Sequence, residues 1–224
     1  GAMAKPLVPI VLSFNGGYVD TAGFLALQGL FTAHVTGNFV TLGAALALGT
    51  TGVVSKLLAL PVFCAVVVLT RLASWSIPRR WPGLSTLLTV KVLLLIAAAV
   101  LAMRLGPFPN GDSAPAVITG MVLVAAMAIQ NALHRMHLGT APPSTLMTGT
   151  TTQLMIDVAD SIRGIPAEQR VQIRERQRNM ATAMLSFAAG AIVAAVLFRT
   201  LHMACFIVPP IVSLMAWILS RTAP

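Results

Sequence analysis

The sequence predicts an all-α membrane protein, and three observations carry that reading. Of its 224 residues, 57% are hydrophobic and only 9% charged, against about 25% charged in ordinary soluble domains. The uncharged residues come in unbroken runs: Asp, Glu, Lys and Arg are absent from 21–55, 113–134, 136–156, 179–198 and 200–220. Each run reaches the roughly 20 residues that a helix needs to cross a ~30 Å hydrocarbon core. The net charge is +9. In a soluble protein that excess would suggest nucleic acid; here Lys and Arg serve as flanks of membrane spans. The lipid bilayer is therefore an expected partner and nucleic acid is not.

Taken in order, the segments are 6–31, 36–49, 53–77, 84–105, 114–137, 144–161, 179–200 and 203–221. Gly1-Ala2-Met3 has the pattern of a protease scar. Lys5 precedes an apolar stretch without a small-residue cleavage site, so the first segment reads as a retained span. The second segment offers only about 21 Å of helix. The sixth is crowded with Ser144, Thr145, Thr148, Thr150, Thr151, Thr152 and Gln153. Neither makes a comfortable crossing.

Charge decides between topologies. If every segment crossed, the basic loops at 78–83 (Arg79, Arg80) and 162–178 (Arg163, Arg170, Arg174, Arg176, Arg178) would lie on opposite faces. The positive-inside rule wants both in the cytoplasm. The expectation is six transmembrane helices plus two re-entrant half-helices, with both termini cytoplasmic in a bacterial inner membrane. Lys91, Arg71 and Arg135 then fall at the cytoplasmic side.

An internal match supports that count. Thr36-Gly37-Asn38-Phe39-Val40-Thr41-Leu42 aligns with Thr148-Gly149-Thr150-Thr151-Thr152-Gln153-Leu154, and Leu69-Thr70-Arg71 with Leu197-Phe198-Arg199. Three spans per copy make a 3+3 inverted repeat: 4–105 and 114–224, joined by an outer linker at 106–113.

The chain resembles the YoaK-like bacterial membrane proteins, a family of unknown function. The resemblance rests on Gly17-Tyr18-Val19-Asp20-Thr21-Ala22-Gly23-Phe24, Thr36-Gly37-Asn38, Gln130-Asn131-Ala132 and Met147-Thr148-Gly149-Thr150. These four elements occur in order over nearly the whole chain. The resemblance implies a multi-span membrane protein and names no substrate, so the residues must argue the mechanism.

A half-helix starting at Thr36 or Thr148 would present unpaired N–H groups and partial positive charge inside the membrane. Such groups must face protein, water or a ligand. Discontinuous helices meeting near the midplane form the substrate sites of many secondary transporters. The expected substrate-binding set is Thr36, Gly37, Asn38, Thr41, Asn131, Thr148, Gly149, Thr150 and Gln153. The plain alternative is that these groups cap helices and bind spans to one another.

Asp20 is the acid deep in a span. A charge there is costly unless paired or hydrated, so it is the expected ion-coupling residue; the plain alternative is a structural partner, with Lys91 as candidate. Asn15-Gly16-Gly17 should loosen the first helix and expose carbonyls. Gly190 reads as packing within the seventh segment. His34, His134 and His137 lack metal-ligand spacing, and neither metal nor cofactor is expected. Asp157 should pair with the arginines after it, and 166–178 reads as an amphipathic cytosolic linker. Trp75, Trp81 and Trp217 suit the interfacial belt; Cys64 and Cys205 read as packing residues.

The function these features imply is secondary transport of a small polar or anionic solute, with proton coupling through Asp20. A passive channel uses the same parts. An intramembrane enzyme acting on a lipid-like substrate would need a nucleophile and base or a metal set, and no convergent triad stands out. No catalytic residue is therefore assigned. Homo-oligomerisation is left open.

Overall fold

The computed structural model describes residues 7–76, 78, 81 and 83–222. The readings placed on Gly1-Ala2-Met3, Lys5, Arg79 and Arg80 lie outside the described residues. All regular structure in the described residues is helical: α1 (Leu7–Ala26), α2 (Asn38–Leu48), α3 (Val53–Ser76), α4 (Gly83–Leu105), α5 (Ala114–His137), α6 (Met147–Arg163), α7 (Arg170–Leu201) and α8 (Val208–Thr222). Short 3-10 turns precede α2, α7 and α8.

The structure overturns six spans plus two re-entrant half-helices in a 3+3 inverted repeat. Among the described residues, four stretches are long and apolar enough to cross a membrane: α3, α4, α5 and the run Ala167–Thr222 that contains α7. Shorter or more polar helices pack among them. The 20 residues of α1 include Ser13, Asn15, Tyr18 and Asp20, all buried. α2 has 11 residues, about 16 Å of helix. α6 carries its threonines, Gln153 and two aspartates over 17 residues, and α8 has 15. The difference has a physical source. A run without charges is not thereby apolar: Asn, Ser, Thr and Gly lower its affinity for lipid without interrupting it.

The segment read as a linker at 166–178 is different too. α7 begins at Arg170 and continues for 32 residues, so most of that stretch forms its first turns. Nor is α1 loosened at Asn15-Gly16-Gly17, where the helix is continuous. These glycines permit close approach instead. A Cβ at Gly17 would lie 2.0 Å from the Phe187 carbonyl oxygen, and one at Gly190 would lie 2.0 Å from the Phe14 carbonyl oxygen. α1 and α7 therefore cross backbone against backbone, as small residues allow in membrane helices. The Ser186 hydroxyl donates to the Ile10 carbonyl across the same contact at 2.8 Å.

α5 packs between α3 and α4, and α8 lies against α1 and α4. The starts of α1 and α4 meet the ends of α5 and α8 in one apolar cluster built on Val8, Leu12, Leu88, Leu133 and Ala216. At the opposite end the links fasten to one another. Asp112 accepts from the backbone N–H of Gly52 at 2.9 Å and of Val54 at 2.7 Å, capping the start of α3. Lys56 Nζ donates to the Gln28 carbonyl, and Gln28 Nε2 donates to the Phe108 carbonyl. A carboxylate at a helix start meets both the free N–H groups and the helix dipole.

Gly17→Ala and Gly190→Ala should each lower stability by about 1–3 kcal/mol, the range for overpacking. Gly149→Ala, where a Cβ meets nothing within 4 Å, should be neutral or stabilising by up to about 1 kcal/mol. Thermal unfolding in detergent measures all three. Equal effects at Gly190 and Gly149 would refute the backbone contact. Asp112→Ala should cost about 0.5–2 kcal/mol through the lost cap, read in the same assay.

Candidate functional site

The first Thr-Gly stretch sits beside a folded link. Beyond α1 the chain turns at Gln28 and Gly29, both at positive φ, and residues 30–35 pass back into the bundle, with Leu30, Thr32, Ala33 and Val35 buried. Irregular backbone in such a place needs internal partners. Asp20 supplies them. Its Oδ1 accepts from the N–H of Thr32 and Ala33 at 2.8 Å each and of His34 at 3.3 Å. Asn38 adds two more: its amide accepts from Phe31 N–H at 2.9 Å and donates to the Phe31 carbonyl at 2.7 Å. Gly37 fits because a Cβ there would lie 2.9 Å from the Phe31 ring. Lys91, the candidate partner in the structural alternative, is not bonded to Asp20; it donates to Gln130 Oε1.

The link 138–146 is held in a related way. The Thr145 hydroxyl donates to Asn131 Oδ1 at 2.6 Å, and Asn131 Nδ2 donates to the Met127 carbonyl at 2.9 Å. Gln130 is the hub. Its Nε2 donates to the Leu12 carbonyl at 2.9 Å and to the Ser144 hydroxyl at 3.0 Å, while its Oε1 accepts from Lys91 Nζ. Lys91 is fully buried, 0% exposed, not at a flank. The signal was a lone lysine in the middle of a long apolar run. Within the same bundle, Asn15 Nδ2 donates to the Ser213 hydroxyl at 2.9 Å, and its Oδ1 has no partner among the described residues.

The predicted site residues divide among neighbouring hollows. Thr36 and Asn131 line a cavity of about 410 Å³ with His34, Phe63, Val67, Arg71, Arg135 and Leu146. Gly149, Thr150 and Gln153 line another of about 730 Å³ with Arg135, Leu146, Arg176 and Asn179. Arg135 and Leu146 belong to both, so the two cavities adjoin. Thr148 lies instead on a groove of about 650 Å³ with Thr151, Thr152 and Met155. Asp20 borders a hollow of about 310 Å³ with Thr21, Phe24 and His34. Thr41 does not line these hollows; its hydroxyl donates to the Asn38 carbonyl at 3.4 Å.

Several expected ligand groups are already engaged. Thr150 donates to the Leu146 carbonyl four residues back at 3.0 Å, as its neighbour Thr152 does to the Thr148 carbonyl, the common bond of hydroxyls inside helices. Gln153 Nε2 donates to Asp157 Oδ1 at 2.8 Å. Asp157 also takes both ends of a guanidinium, Arg176 Nε at 2.7 Å and Nη2 at 2.6 Å. That fork is the strong geometry for Arg and carboxylate. It ties α6 to α7, and it is the pairing of Asp157 with a downstream arginine that the sequence suggested. α2 and α6 have no side-chain cap at their first residues. Sequence reasoning passed over Arg71 and Arg135 as cavity residues because flank arginines are expected wherever a span ends. Among the described residues, no group of three His, Cys, Asp or Glu could hold a metal ion.

A family described as protein of unknown function DUF1275 matches residues 8–219. The chain belongs to this family. The protein is similar to the UPF0700 transmembrane protein YoaK of Bacillus subtilis (strain 168), at 29% identity over 191 residues, covering 83% of this chain and 80% of that protein. This agrees with a bacterial multi-pass membrane protein. No solved structure matches.

The Arg176 guanidinium, hydrogen-bonded to Asp157, holds that carboxyl below the usual carboxylate range. A depressed carboxyl stabilises the fold above its unfolded value of about 3.9, and the gain is lost as pH falls through the folded value. Melting temperature should therefore drop below about pH 4 more steeply in the wild type than in Asp157→Asn. Parallel curves would show that the pair contributes nothing.

Proposed function

We propose that the protein is a secondary transporter of a small polar or anionic solute. The observation that carries this reading is the shared wall. The cavity holding Thr36 and Asn131 and the cavity holding Gly149, Thr150 and Gln153 are separated by Arg135 and Leu146, which line both. Both of these wall residues are exposed, so their side chains are the boundary a solute would meet between the two. Ligand pockets of a few hundred Å³, largely apolar with a few convergent polar groups, are the ordinary form of small-molecule sites.

Orientation follows from charge. The ends of α3, α5 and α8 carry Arg71, Arg135 and Arg221, and the positive-inside rule assigns that end to the cytoplasm. Both chain termini then face the cytoplasm of a bacterial inner membrane. Asp20 remains the ion-coupling residue of this reading, because it borders a hollow while one oxygen holds the link.

Asparagine can keep that clasp through its amide oxygen, and alanine cannot, so the two substitutions separate coupling from structure. Proteoliposomes loaded with a pH-sensitive dye would be challenged with lactate, succinate, glycerol phosphate and glycerol. Asp20→Asn should stay folded and lose solute-driven proton movement; Asp20→Ala should unfold. Unchanged proton movement in Asp20→Asn would remove the coupling role. Gly149→Leu should lower flux at least about tenfold by filling the larger cavity, a loss of about 1.4 kcal/mol in barrier terms. Flux without counterflow acceleration would identify a passive channel instead.

A further inference from the structure

Two cations line the Thr36–Asn131 cavity, and neither has an acid beside it among the described residues. Arg71 on α3 meets the Met136 sulfur at 3.7 Å and lies over the Trp75 ring, 5.2 Å from its centroid. Arg135 on α5 has no side-chain hydrogen bond or ion pair in the described residues. The ion pair found among the described residues lies elsewhere, between Arg176 and Asp157. The adjoining larger cavity has Glu175 on its wall, whereas the smaller one has no acidic residue on its wall.

The helix directions put both charges at one end. α3 and α5 both start at the Asp112 end. Both finish near the start of α4, where a Cβ at Gly83 would lie 3.0 Å from the His137 ring. Phe63, Val67 and Arg71 recur at four-residue spacing on α3, one turn apart, and Asn131 and Arg135 do the same on α5. The apolar wall and Asn131 therefore lie further in, and Arg71 and Arg135 line the cavity at its end nearer the helix termini.

We propose that this cavity binds an anion carried on an apolar body, a carboxylate or phosphate ester with an alkyl or aryl portion. Arg71 and Arg135 grip the acidic group and Phe63 and Val67 pack on the apolar portion. A guanidinium matches carboxylate and phosphate oxygens with paired donors. Unpaired positive charges above apolar walls concentrate their field on the cavity. The chemistry is shared by a soluble metabolite and by an anionic lipid headgroup. The proposal rests on the cavity used in the transport reading, and it stands or falls separately from movement of the ligand.

The test uses the full chain in phosphatidylcholine nanodiscs with radiolabelled hexyl phosphate as probe. Binding should be saturable. Inorganic phosphate should compete at least tenfold more weakly, and hexyltrimethylammonium should not compete. Arg71→Gln and Arg135→Gln should each weaken binding about tenfold or more, the loss expected for a charged hydrogen bond. Both arginines are exposed, so these variants should fold, and Arg71→Lys and Arg135→Lys should restore part of the affinity. Arg104→Gln, outside the cavity, should bind as the wild type does. Displacement of the probe by added phosphatidylglycerol would identify a lipid headgroup as occupant, which keeps this site and removes the transport reading of it. No displacement would identify a soluble solute. Undiminished binding in both Gln variants, or equal competition by hexyltrimethylammonium, would overturn the proposal.

Discussion

One oxygen of Asp20 holding three backbone N–H groups is the constraint on which the first half of the molecule depends. The chain leaves α1, turns at Gln28 and Gly29, and re-enters the bundle before α2 begins. Within a bilayer such backbone has no water to satisfy it. Asp20 and Asn38 meet that demand from the two sides of the link, and Phe31 closes over Gly37. The cavity beside Thr36 exists because this link is held in place. The same residues thus serve the fold and border the hollow.

The second link shows that the problem recurs and is solved with neutral groups. Asn131 and Thr145 replace the carboxylate, and Gln130 gathers Leu12, Ser144 and Lys91 around one amide. Buried networks of this sort fix a unique arrangement when their members are satisfied. Among the described residues, the Asn15 oxygen and His134 Nδ1 are the buried side-chain atoms left without a partner. A buried polar layer thus lies where α1 passes α5 and the link after it, between the two apolar clusters.

Membrane character and helical class were legible in composition and in charge-free runs, and the bounds of α2, α4 and α5 follow the predicted segments within a few residues. The number of crossings was not legible. Charge counting cannot see that α1 turns polar groups inward, nor that α7 extends its basic first turns as helix rather than loop. At the site, Thr36, Asn131, Gly149, Thr150 and Gln153 were singled out by residue type, and they do border cavities. What the sequence concealed was occupancy of hydrogen bonds. Asn38 and Gln153 look like free amides in a string of letters, but Phe31 and Asp157 take them up. Lys91, Arg71 and Arg135 were hidden by the opposite error, since lysine and arginine in a membrane protein are so readily assigned to its margins.

The contact of Gly17 with Phe187 and of Gly190 with Phe14 has a mechanical consequence. Two helices whose main chains touch at two points a few residues apart cannot slide or rotate past each other without a collision. α1 and α7 therefore behave as one stiff lever. Whatever motion opens the molecule has to carry this pair together and find its compliance elsewhere, in the link at 27–37 that joins α1 to α2 and the link at 138–146 that joins α5 to α6. Asp157 and Arg176 then fasten α6 to the same lever, so the larger cavity changes shape when the lever moves.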